Sequence, residues 1–173
     1  VIMYSTYTAT VSINSGKSLT TSGSFKIAGG TFNTNGQLLE VGSYNQTGGI
    51  FIAGSSAITS NGNFNIAGGT FNSDSSTLIL DATNGNSTFA AGGYMFNNVI
   101  FQSESAVART WTLGGGNITF NGNFQVKAGG SGNLTVTAAG SNPNPTILGN
   151  IDYTGTGTGS ESISMGNGIW TVS

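Results

Sequence analysis

Gly62-Asn63-Phe64-Asn65-Ile66-Ala67-Gly68-Gly69-Thr70-Phe71-Asn72 has a near copy upstream, Gly23-Ser24-Phe25-Lys26-Ile27-Ala28-Gly29-Gly30-Thr31-Phe32-Asn33. A third version lies between them. Gly42-Ser43-Tyr44 leads, after Asn45-Gln46-Thr47, to Gly48-Gly49. The shared pattern is a Gly, a Ser or Asn, an aromatic, a short spacer and a Gly pair. It recurs at a nearly constant step, from Gly23 to Gly42 to Gly62. Internal repeats of this length mark solenoid architectures, in which each repeat buries its apolar face only against the next. Gly122-Asn123-Phe124 returns with one extra residue before Gly129-Gly130, and Gly149-Asn150-Ile151 is a weaker echo.

Each repeat carries an inner period of seven. Phe25 is followed by Phe32 and Leu39, Tyr44 by Phe51 and Ile58, and Phe64 by Phe71 and Leu78. Three apolar anchors per coil predict a coil with three faces, each a short strand and a corner. Within the strands apolar and polar residues alternate, as in Phe25-Lys26-Ile27, which is the period of a β-strand with one face buried. The Gly-Gly, Asn-Gly and Asp-Ser steps supply the φ > 0 conformations that tight corners need. The expected fold is a right-handed parallel β-solenoid (a parallel β-helix) with three ladders: Phe25/Tyr44/Phe64, Phe32/Phe51/Phe71 and Leu39/Ile58/Leu78. About eight coils would span about 40 Å. An antiparallel β-sandwich is the alternative, but it gives no reason for the same three-anchor register at every step.

The organisation read along the chain is one domain over 1–173, with an N-terminal strand and entry coil at 1–21 and regular coils at 22–80. Irregular coils follow at 81–120, with an excursion near 102–109, and C-terminal coils occupy 121–173. Residues 1–13 read as one long alternating strand, which could pair with a neighbouring subunit by strand addition or form an ordinary first coil. The first five residues lack the basic and apolar regions of a signal peptide, which leads to the expectation of a mature product or a segment of something longer.

Composition narrows the function. Only 6% of residues are charged, the formal net charge is −2, and the basic residues are Lys17, Lys26, Arg109 and Lys127. That is no electrostatic footprint for nucleic acid, and no apolar run reaches the length of a spanning helix. With no Cys and no His, thiolate and imidazole metal sites and His-dependent triads are excluded. The six carboxylates, Glu40, Asp74, Asp81, Glu104, Asp152 and Glu161, are too sparse for the clustered acids of an active cleft. The expectation is that the chain is not an enzyme and takes no cofactor.

Three further motifs bear on partners. Asn45, Asn86, Asn117 and Asn133 begin Asn-x-Ser/Thr sequons. Tyr4, Tyr7, Tyr94, Tyr153 and Trp170 would be sugar-stacking platforms if exposed. Thr6-Tyr7-Thr8, Thr110-Trp111-Thr112, Thr135-Val136-Thr137 and Thr154-Gly155-Thr156 invite an ice-binding reading, but the cleanest coils, 22–80, contain no such pair. Thr at outward strand positions is also ordinary β-propensity.

The phrasing of Ser87-Thr88-Phe89, Phe96-Asn97-Asn98-Val99-Ile100-Phe101, Trp111-Thr112-Leu113 and Gly122-Asn123-Phe124-Gln125-Val126 resembles repeat regions of very large bacterial surface proteins. Those are adhesin-like and filamentous-haemagglutinin-like β-solenoids. The likeness covers most of residues 22–140; it implies secretion, a stalk or fibre role and adhesion, and it carries over no catalytic residue. The expected function is a structural building block of an extracellular filament, stalk or sheath, self-associating into a homopolymer. A segment that binds glycan or a host surface is the alternative, and ice binding a remote one.

Overall fold

Residues 1–173 are described by a computed structural model. Strands account for 51% of the chain, there is no helix, and the backbone winds about eight turns of a β-solenoid. Every strand pairing is parallel, which excludes the antiparallel sandwich. Each coil crosses three faces, and the register places like residues one above another.

On the first face Phe25 pairs with Tyr44, Tyr44 with Phe64, Phe64 with Phe89, and Phe89 with Leu113. On the second, Val11, Phe32, Phe51 and Phe71 are in register. Here backbone pairing lapses for one coil, and the Phe71 and Phe96 rings bridge the gap at 5.2 Å. Phe96, Phe120, Ile147 and Val172 then continue the column. The third face runs through Leu19, Leu39, Ile58, Leu78, Val99, Phe124 and Ile151.

All nine anchors read from the sequence are buried. Along the axis their rings stack, Tyr44 on Phe64 at 4.5 Å and Phe51 on Phe71 at 5.0 Å, with planes 11° and 7° apart. Within a coil the first and second faces meet edge to face, as Phe25 does Phe32 at 4.8 Å and 80°. Both geometries suit the ring quadrupole, and such pairs add about 0.5–1.5 kcal/mol each beyond the area they bury.

Two expectations are revised. Residues 1–13 are not one strand: Ile2–Met3 pairs with Lys26-Ile27, and Thr10–Ser12 pairs with Thr31–Asn33. A turn closed by the Tyr7 N–H donating to the Tyr4 carbonyl separates them. The stretch is the first coil, because its backbone groups find closer partners in the coil above than one extended strand would. Nor does the chain leave the solenoid at 102–109. It stays in strand to Ser103 and resumes at Arg109, and the corner between is itself stacked on later coils. Gly129 and Gly132 donate to the Ser103 and Ser105 carbonyls, and Gly157 and Gly159 to those of Ala128 and Gly130. The chain separation of stacked partners widens from 20 for Asn45 and Asn65 to 25 for Asn63 and Thr88 and 27 for Asn117 and Asn144.

Replacing Phe51, at the centre of the second column, by Ala should cost about 3–5 kcal/mol in urea unfolding, because no neighbour can fill the void. Gly49 tests the corners. It has φ +65°, and a Cβ there would lie 2.8–2.9 Å from Gly29 and Gly30 backbone atoms, whereas Gly16 (φ +70°) has open space around it. Gly16→Ala should cost only the left-handed strain, about 1–2 kcal/mol, and Gly49→Ala measurably more in the same titration.

Candidate functional site

The residues singled out by the repeat are core residues, and none reaches the surface. One carries chemistry. Tyr44 stands where its ladder neighbours are Phe, and its phenol donates to Gln46 Oε1 at 2.8 Å. Gln46 occupies the position of Ile27 and Ile66 in the column. Its Nε2 donates to the Thr70 carbonyl at 3.0 Å, so this polar pair is satisfied inside an apolar stack. Burial, with a smaller contribution from Tyr94, raises the Tyr44 pKa well above the ordinary tyrosine value. A second buried polar pair, in which Ser56 donates to Thr34 Oγ1 at 2.6 Å and Thr34 to the Ala53 carbonyl at 2.7 Å, lines one corner.

The carboxylates are dispersed, and four of the six hold coils together. Glu40 accepts from Asn61 Nδ2, Asp74 from the Gly54 N–H, Asp81 from Gln102 Nε2, and Glu161 from the Ala128 N–H, all at 3.0–3.1 Å. No three His, Cys, Asp or Glu side chains converge, and no helix is long and apolar enough to cross a membrane.

The sequon asparagines share a different task. The Asn86, Asn117 and Asn133 side-chain oxygens accept from the Thr110, Asn144 and Ser160 amides one coil on, and Asn45 Oδ1 accepts from Asn65 Nδ2. Asn98, Asn123 and Asn150 form a continuous ladder of the same kind. These corner ladders were legible only as Asn abundance, because which asparagine meets which amide is set by the coil circumference. Of the aromatic candidates, Tyr4, Tyr7 and Tyr153 are exposed, Tyr94 is half-buried, and Trp170 is half-buried against Phe124 with its indole N–H donating to the Met165 carbonyl.

The two end faces are where the coil stack is open in this structure. At the N-terminal end two apolar depressions of about 370 and 330 Å³ open onto the column residues, the first lined by Val11, Ile13, Leu19 and Phe32, the second by Met3, Tyr4 and Tyr7. At the other end Val172, Met165 and Tyr153 are about half exposed. The outer edges of the strands there carry N–H and C=O groups without a partner coil, a template for further parallel pairing. No protein-family profile matches the chain, and no curated protein or solved structure matches it.

Tyr44 supports a pH test. The unfolded chain releases the phenol proton near pH 10 while the folded chain keeps it, so stability is intact below about pH 10. Above it, stability falls by about 1.4 kcal/mol per pH unit. Tyr44→Phe should cost about 1 kcal/mol at neutral pH, since Gln46 loses its donor, and should flatten the alkaline loss when urea midpoints are compared at pH 9 and 11.

Proposed function

We propose that this chain is a rod-forming structural segment of an extracellular filament, stalk or sheath, extended by stacking further coils on its ends. One observation carries the reading: columns of like residues continue coil after coil by the same parallel pairing, so the contact that joins two coils can be repeated indefinitely. The second face begins at Val11 and ends at Val172, and the third begins at Leu19 and ends at Ile151. Another copy stacked head to tail would place the Val11 strand against the Val172 strand and the Met3 strand against the Ile163 strand, continuing apolar columns and parallel strand pairing on those two faces. The energetics of a solenoid favour this, because each coil is stabilised by its nearest neighbours and an added interface repeats an existing one. The sparse charge, the polar Asn/Ser/Thr surface and the likeness to adhesin-like repeats support a place outside the cell.

Negative-stain microscopy of the purified chain tests it. Unbranched filaments with a regular axial repeat are expected, and Val172→Asp, which sets a charge at the exposed end of a column without entering the core, should shorten or abolish them. Discrete monomers that bind a glycan array, or filaments indifferent to Val172→Asp, would overturn end-to-end assembly.

A further inference from the structure

The Thr-x-Thr pairs do not share one fate in the fold. Thr6-Tyr7-Thr8 and Thr154-Gly155-Thr156 extend into corners, but Thr110-Trp111-Thr112 and Thr135-Val136-Thr137 lie in strands directly side by side. The next strand continues both columns with Ser162-Ile163-Ser164, and Thr88 extends one of them a coil in the other direction. The first face of the C-terminal coils therefore carries two parallel rows of hydroxyls, Thr110/Thr135/Ser162 and Thr88/Thr112/Thr137/Ser164.

Geometry makes these rows a grid. Residues two apart on a strand are spaced by about 6.7 Å and neighbouring coils by about 4.8 Å. The grid is rigid, because the residues between the hydroxyls, Trp111 and Val136, are fully buried and the strands are paired on both sides. Thr135 and Ser162 hydroxyls already lie in hydrogen-bond contact at 3.0 Å, aligned along the row. No charged side chain stands among them. Arg109 and Glu161, at the strand starts, turn back to the corner, donating to the Thr83 carbonyl and accepting from the Ala128 N–H.

We propose that this hydroxyl grid is a water-ordering surface whose ligand is the face of an ice crystal. Rows of oxygen atoms on the prism faces of ice repeat on a similar rectangular net, with a short and a long spacing. A fixed, uncharged array of hydroxyls flanked by methyl groups can hold water on such a net, whereas a charge would orient water radially. A sugar-binding face would call for an exposed aromatic platform or directed amide and carboxylate groups, and the Trp on this face is inside the core. The grid is invisible at the short period of the first coils. Its partners, Thr110 with Thr135 and Thr135 with Ser162, lie further apart in the chain than that period, and one pair is Ser-x-Ser. Only the widened coils bring them into register.

The test uses the full chain in ice-adsorption and ice-recrystallisation assays. The wild type is expected to partition into growing ice and to slow recrystallisation. The double variants Thr112→Lys/Thr137→Lys and Thr112→Val/Thr137→Val should lose both effects while keeping the wild-type circular dichroism spectrum. The Val pair, with its high strand propensity, guards against misfolding of the Lys pair. A wild type that does not adsorb to ice, one that instead binds crystalline cellulose or chitin, or folded variants that adsorb unchanged would each overturn the proposal.

Discussion

Parallel strands in a sheet stand about 4.8 Å apart, and in a solenoid that distance is also the separation of one coil from the next. A side chain pointing inward must therefore fit against its own equivalent above and below. Flat rings meet this condition by stacking and branched aliphatic chains by nesting. This accounts for columns such as Phe32, Phe51 and Phe71 on one face and Leu39, Ile58 and Leu78 on another. The same constraint reaches the corners. Asparagines at equivalent corner positions bond to the next coil's backbone, and Gly49 packs on Gly29 and Gly30 so closely that no side chain fits.

Given fixed faces, variation is confined to corners. The step between stacked partners rises from 20 residues to 27 and returns to 25, yet the third face passes from Leu78 to Val99 to Phe124 without a shift of register. The added residues are absorbed at 82–86, at Glu104 to Ala108 and at the glycines after Ala128, which turn outside the sheet. A widened corner is carried into the next coil where that coil's amides bond to its carbonyls, as those of Gly129 and Gly132 do to Ser103 and Ser105. Polar substitutions in the core follow the same local logic: Gln46 is tolerated because Tyr44, in the same strand, supplies its donor.

Stability built from neighbouring coils also shapes how such a protein meets its surroundings. The lateral faces satisfy their own backbone and present short polar side chains, so they suit extended, weakly adhesive surfaces. The end faces differ: there the Val11 and Val172 strands have a neighbouring coil on one side only. The rod and filament reading rests on that contrast, and the hydroxyl grid of the last coils occupies a lateral face that assembly at the ends would leave open.

The amino-acid sequence by itself determined the fold class, the three faces and the nine anchor residues over 22–80, because a strict repeat with a seven-residue inner period leaves one way to bury its apolar positions. It also showed how few ionisable groups there are. Tertiary structure decided the rest. Residues 1–13 alternate like a strand, but partners in the coil above divide them. Glu104 to Ala108 break the period, yet stacked glycines keep them in the coil. Thr110, Thr135 and Ser162 come together only because the widened corners set a step that no short motif records, and residues that distant meet only when the coil closes.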